Sequence, residues 1–140
     1  MDETDLQEIM NREIVLKPIG FIRSSITDLD KAPRLGSEDS ITGDLVVGEE
    51  YRDAFLGLEP GQKILILYWM HLAERDMLQV HPRKDYSRPL RGVFSTRSPQ
   101  RPNPIAADTV EILEIQGTVL HVSGLDALDG TLLLDIKCVV

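Results

Sequence analysis

The stretch of the chain with the greatest capacity to recognise an anion runs Gly92-Val93-Phe94-Ser95-Thr96-Arg97-Ser98-Pro99-Gln100-Arg101-Pro102-Asn103-Pro104-Ile105. Its prolines fix φ near roughly −65° and bias Ser98, Arg101 and Asn103 toward extended backbone, so the segment is stiff without regular hydrogen bonding. A stiff loop has little ordering entropy left to lose when a ligand binds. Arginine forks suit a carboxylate or phosphate, and Ser98 and Asn103 add neutral polar contacts. The bland alternative is a rigid surface connection whose arginines are solvated.

Carboxylates form a second candidate group. Asp135 interrupts the apolar run Leu132-Leu133-Leu134, and two-residue alternation gives it one face with Leu133 and Lys137. It is therefore exposed, paired with Lys137 or an arginine, or chemically employed. Asp129 stands before Gly130 in a turn signal and can be explained by the turn alone. His71 closes the apolar run Tyr68-Trp69-Met70, where a single imidazole is most often a hydrogen-bonded core residue. Other chemistries lack their signatures: there is no G-x-x-x-x-G-K-[ST] loop, no G-x-G-x-x-G and no G-x-S-x-G elbow. His71, His81, His121 and Cys138 have no metal-ligand spacing, so no metal is expected.

Charge is unevenly distributed. The chain carries −8 overall, yet the 19 residues from Arg83 to Arg101 carry +5, which leaves −13 on the other 121. An acidic body with one basic segment binds an anion locally while the remainder stays soluble. The alternative is that these arginines are scattered and paired with surface acids. Ile64 to Met70, the longest apolar run, is far short of the roughly 20 residues of a membrane span, and the start, Met1-Asp2-Glu3, is acidic rather than leader-like. A single cysteine, Cys138, excludes an internal disulfide and fits a cytoplasmic location.

These groups need a scaffold, and 140 residues suffice for one domain. Residues 1–13 read as a short amphipathic helix or a tail, and residues 14–140 as the folded domain. Seven β-rich runs dominate: 14–23, 41–47, 62–70, 91–97, 109–115, 118–123 and 131–137. Tyr51, Ala54, Phe55 and Leu58 have helical spacing in the segment 49–58. Glu59-Pro60-Gly61, Gln116-Gly117 and Asp129-Gly130 mark turns, and the last pair predicts that the final three strands form an antiparallel meander. Thr118, Leu120 and Val122 are expected to face inward, and residues 64–68, apolar on both faces, a central strand. A mainly β fold, a barrel or sandwich with about seven strands and one or two short helices, follows.

The segment Gly92 to Ile105 resembles the signature G-V-F-[AS]-T-R-S-P-x-R-P-N-P-I of the TrmO family, also called TsaA-like or YaeB-like. Asp129-Gly130-Thr131 and Leu134-Asp135-Ile136-Lys137 are similar to its D-G-T-P-V-L-D-I-K-P-Y ending. Pro18-Ile19-Gly20, Lys31 through Pro33-Arg34 and Trp69 through His71 fit earlier landmarks, so the resemblance spans about residues 14–137. Leu35, Leu132 and Cys138-Val139 depart from the family pattern. The resemblance implies a small single-domain β-barrel acting as a homodimer, and a methyltransferase that uses S-adenosylmethionine on tRNA. Its implied target is N6 of N6-threonylcarbamoyladenosine, beside the anticodon. Carried onto this chain, it implies that His71, Arg97, Ser98, Arg101 and Asn103 bind the methyl donor. It further implies that Asp129 and Asp135 lie near the reacting base, as the catalytic candidates, and that Arg34, Arg91 and Lys137 meet the anticodon-loop substrate. The competing readings are a barrel that binds a nucleotide or RNA without catalysis, and a methyltransferase for another small molecule or RNA.

Overall fold

The computed structural model describes residues 1–27 and 41–140. An exposed helix, α1 (Glu3–Met10), is capped by the Asp2 carboxylate, which accepts a hydrogen bond from the Asp5 amide at 2.9 Å. Then come β1 (Gly20–Ser24), β2 (Ile41–Val47), β3 (Lys63–Trp69), a short ribbon of β4 (Gln79–Val80) and β5 (Arg91–Gly92), β6 (Ile105–Gln116), β7 (Val119–Leu125) and β8 (Leu132–Cys138). Six of these strands close a barrel in the order β1-β2-β7-β6-β3-β8, every pair antiparallel.

The barrel is filled by one face of each strand. Ile22, Leu45, Val47, Ile64, Ile66, Tyr68, Val110, Ile112, Leu120, Val122 and Leu133 form a single buried cluster. Thr118, Leu120 and Val122 are buried as the alternation predicts. In β3 the same rule puts Ile64, Ile66 and Tyr68 inside and leaves Leu65 and Leu67 half-buried on the outer wall.

Four sequence expectations are corrected. The run 14–23 is strand only from Gly20, because Pro18 has no N–H to enter a ladder, and Ile14 and Val15 are exposed. The run 91–97 is strand only at Arg91–Gly92. There the Ser95 hydroxyl donates to the Gly92 carbonyl (2.8 Å) and Thr96 Oγ1 to the Val93 carbonyl (2.9 Å), which folds the chain into a tight 3-10 turn at Val93–Ser95. The helical segment is a 3-10 helix at Glu49–Phe55, with Tyr51, Phe55 and Leu58 packed on the core.

The fourth correction concerns topology. β6 and β7 form the expected hairpin, but β7 and β8 do not pair; they stand on opposite sides of the barrel. Residues 126–131 must therefore cross the barrel mouth. Gly130 takes the positive φ of 83° and Asp129 does not, so the pair is one bend in a crossing segment and not a two-residue hairpin turn.

The strands that frame this barrel lie close, and Gly20 shows how close. A Cβ there would stand 2.0 Å from the Val46 carbonyl oxygen, a backbone atom that cannot swing away. Gly20→Ala is expected to lower stability by about 1–3 kcal/mol through this overpacking, read as a reduced urea midpoint at unchanged slope.

Candidate functional site

Antiparallel pairing brings four connections to one end of the barrel: the one after β1, the one after β3, the one before β6 and the crossing segment between β7 and β8. His71 follows β3, Arg97, Ser98, Arg101 and Asn103 precede β6, and Asp129 lies in the crossing. Arg34 belongs to the connection after β1 and lies outside the described residues, as do the Lys31 and Pro33 landmarks and Leu35.

The segments before β6 and after β3 are laced together. The Met70 amide donates to the Pro104 carbonyl (2.8 Å), the Arg101 amide to the Glu74 carbonyl (3.1 Å), and the Glu74 amide to Gln100 Oε1. Arg75 adds a clamp: Nε donates to the Pro102 carbonyl (2.7 Å), Nη2 to Asn103 Oδ1 (3.0 Å), and the guanidinium stands 5.3 Å from the Trp69 ring centroid. Within the loop, the Ser98 amide donates to Thr96 Oγ1 (3.1 Å) and Ser98 Oγ accepts from the Gln100 amide (3.3 Å).

The loop's two arginines have different surroundings. Arg101 is half-buried, and its Nη2 donates to the carbonyls of Val93 and, at 2.7 Å, of Thr96, so it braces the 3-10 turn from inside. Its buried Nε has no hydrogen-bond partner among the described residues. Arg97 is exposed and has one contact of this kind, from Nη1 to the Ala107 carbonyl at 2.6 Å in β6.

The carboxylates also separate. Asp129 Oδ1 accepts from the Ser24 amide at 3.0 Å and the Asp129 amide donates to the Ile26 carbonyl at 2.8 Å, which ties the crossing to the end of β1. Asp135 stands on the outer wall level with Leu67, where Oδ1 accepts from the Ile136 amide (2.9 Å) and Oδ2 pairs with Lys137 Nζ (3.0 Å). Asp135 and Lys137 thus engage each other on the outer wall. Arg91 is exposed on the short ribbon.

A cluster unforeseen from the sequence lies just inside the mouth. Tyr68 Oη is 2.6 Å from Asp108 Oδ2 and 2.7 Å from Asp126 Oδ1. Asp108 is only 7% exposed. Burial, then the neighbouring Asp126 carboxyl, push the Asp108 pKa up to about 8, against a smaller downward pull from Tyr68 and Arg97. Burial and the two carboxyls likewise raise the Tyr68 phenol well above its ordinary range.

The match to known proteins agrees with this arrangement. Residues 21–140 match the model of the tRNA-methyltransferase O N-terminal domain. The chain belongs to that family. It is 48% identical over 125 residues to the "Probable S-adenosyl-L-methionine-binding protein" of Methanothermobacter thermautotrophicus, covering 89% of each chain. It is 44% identical over 124 residues to the "S-adenosyl-L-methionine-binding protein" of Archaeoglobus fulgidus, covering 89% of this chain and 88% of the relative. Among solved structures, one titled "Crystal structure of TrmO" superposes with a TM-score of 0.73 at 32% identity over 92% of this chain. This chain spans 56% of the length of that solved protein.

Set against the family signature, the sequence reading missed Arg75, Tyr68, Asp108 and Asp126. Asp108 was within reach: it interrupts the apolar alternation of Val110 and Ile112 on one face, the same signal that singled out Asp135. Arg75 has no motif of its own, because its role comes from a contact with the Pro102 backbone.

The raised Asp108 pKa has a thermodynamic consequence. The folded state holds this proton more tightly than the unfolded chain, so the contribution is full below the unfolded value near 3.8 and is lost as pH rises through about 8. Wild-type stability minus that of Asp108→Asn is therefore expected to fall between about pH 4 and 8, by at most roughly 1.4 kcal/mol per pH unit. Urea unfolding at a series of pH values measures it, and parallel curves for the two proteins would remove the effect.

Proposed function

We propose that this chain transfers a methyl group from S-adenosylmethionine to N6 of N6-threonylcarbamoyladenosine beside the tRNA anticodon, as a cytoplasmic homodimer. The observation that carries this reading is the gathering of the family's signature loop, His71 and Asp129 at one barrel end, in a chain of the tRNA-methyltransferase O N-terminal domain family. The names of the two relatives, "S-adenosyl-L-methionine-binding protein" and "Probable S-adenosyl-L-methionine-binding protein", support the choice of donor.

The residues at the mouth suit a zwitterionic donor. Arg97 offers an exposed guanidinium for a carboxylate, and Asp129 and Asp126 offer carboxyl oxygens for ammonium or ribose hydroxyls. Ser98, Asn103 and His71, the family's remaining signature positions at this end, are further candidates for contacts with the donor. When bound, the donor supplies a methyl on a sulfonium, which leaves as a neutral thioether. The protein's share is chiefly positioning, and held geometry alone can supply roughly 7–11 kcal/mol. Asp129, whose carboxylate accepts from the Ser24 amide, is the candidate to orient the acceptor N–H or take its proton. Asp135, the other candidate, is held by Lys137 on the outer wall.

Substrate contacts fall on the ribbon side. Arg83, Lys84, Arg88 and Arg91 lie there with two exposed aromatic rings, Tyr86 (78% exposed) and Phe94 (86% exposed). Tyr86 tilts against the His81 ring at 5.0 Å and Arg88 pairs with Asp85 at 3.3 Å, yet cations for phosphates and exposed aromatic rings for unpaired bases suit a single-stranded loop. A base in an anticodon loop is already largely unpaired, so splaying it into the mouth is less demanding than opening a duplex. Lys137 and Arg34 are further candidates for this contact.

A second reading, a donor-binding barrel without transfer, draws on the same relatives, whose names state binding alone. Incubation with labelled S-adenosylmethionine and either threonylcarbamoylated or unmodified tRNA separates the two. Label is expected only in the modified tRNA, with Arg97→Ala reducing transfer at least about tenfold and tRNA affinity falling steeply with salt. Saturable donor binding with no labelled RNA would favour the second reading, and labelling of another acceptor would redirect the substrate. Light scattering at micromolar concentration is expected to give twice the chain mass of 15.7 kDa.

A further inference from the structure

The three oxygens around Tyr68 pose a question of proton number. A phenol has one proton and can donate it to one carboxylate only, yet Tyr68 Oη makes short contacts with both Asp108 (2.6 Å) and Asp126 (2.7 Å). The second contact requires a carboxyl O–H. The cluster therefore holds one proton beyond the phenol's own and carries one negative charge in place of two. Two unprotonated carboxylates this close in a buried site would repel strongly, so a shared proton is the stable arrangement.

Asp108 is linked to the loop through one bond of backbone. Arg97 Nη1 donates to the carbonyl of Ala107, the residue immediately before Asp108. Arg97 is also the positive group that acts on the Asp108 carboxyl. The groups facing Asp108 from each packed element, among the described residues, are Tyr68 of β3, Asp126 of the crossing and Arg97 of the loop before β6. His121, the titratable group of β7, alternates to the outer face and pairs there with Asp44 at 2.8 Å. The elements before and behind the cluster thus contribute one cation, and it is the loop arginine.

We infer that Asp108, Tyr68 and Asp126 form a proton-sharing unit that positions Arg97 for the methyl donor's carboxylate. With the shared proton present, Arg97 rests on the Ala107 carbonyl and its remaining N–H groups stay available at the mouth. When the proton leaves, a second buried negative charge draws the guanidinium inward and competes with the ligand. Asp108 is a positioning residue here; it touches Tyr68 and acts through Arg97. This inference rests on the reading that Arg97 meets the donor, so its test carries two readouts that fail separately.

The first readout is calorimetric titration of S-adenosylmethionine into the full chain from pH 6.5 to 9.5. Wild-type affinity is expected to weaken about tenfold more than that of Asp108→Asn across this range, the variant reporting the donor's own titration alone. The second is the Arg97 Nε resonance in nitrogen-15 NMR, assigned with Arg97→Lys. It is expected to shift as the cluster loses its proton in wild type and to stay flat in Asp108→Asn. Should Asp108→Asn not fold, Tyr68→Phe serves, with the midpoint of both profiles displaced from the wild-type value. Identical pH profiles in wild type and variants, in binding and in the Arg97 resonance, would overturn the inference. A moving Arg97 resonance without donor binding at any pH would uphold the proton-sharing unit and its link to Arg97 while removing the donor, the overall function and the positioning role with them.

Discussion

A six-stranded barrel in the order β1-β2-β7-β6-β3-β8 puts β2 opposite β3 and β7 opposite β8. Two connections must therefore cross its mouths, and each crossing lays main-chain polar groups over an apolar interior, where they need partners. The β2-to-β3 crossing solves this with a 3-10 helix that turns Tyr51, Phe55 and Leu58 onto the core. The β7-to-β8 crossing solves it by lacing itself to the end of β1: Ser24 Oγ donates to the Ala127 carbonyl at 2.7 Å, the Asp129 amide to Ile26 and the Gly130 amide to Ile22. One mouth is thereby sealed with hydrocarbon and the other with polar groups. The polar mouth is where chemistry can be built, and Asp126 enters the barrel because the crossing passes over it.

The loop arginines show how one residue type is divided between support and availability. Arg101 and Arg75 satisfy carbonyls of the loop, so that the prolines' restriction of φ is joined by a bracket on either side. Those bonds fix the segment before any ligand arrives, and a fixed segment loses little entropy on binding. Arg97 is held by one bond and remains exposed, which leaves most of its five donors for another partner. The same segment with both of its arginines free and no clamp from Arg75 would be a looser and less selective anion trap.

Much of this could be read in the sequence because it depends on local periodicity. The limits of β2, those of β3 to within one residue at each end, the inward set Thr118, Leu120 and Val122, and the turns at Gly61 and Gly117 all follow from two-residue alternation and turn chemistry. Strand partners do not. Alternation gives the face of a strand and is silent on its neighbour, so Asp129-Gly130 read as a hairpin where the chain crosses the barrel. The same gap separates Asp135 from Asp108. Both interrupt apolar strands, but only closure of the barrel, with a bulge in β8 between its pairings to Tyr68 and Leu67, sends the first to the outer wall and the second inside. Arginine type suggested an anion for Arg101, and the fold supplied carbonyls.

The buried cluster and the exposed loop are best understood as one electrostatic unit. Two ionised carboxylates behind Arg97 would neutralise it twice over, and none would leave a cation beside a low-dielectric interior without a counter-charge. One shared proton gives the intermediate case, a single negative charge set behind a single guanidinium, with the two carboxyls hydrogen-bonded to each other and both to Tyr68. In that balance the guanidinium can exchange a backbone carbonyl for a ligand carboxylate without stranding a buried charge. The polar mouth is then poised by its proton count, and the sequence position that sets that count is a single aspartate in an otherwise apolar strand.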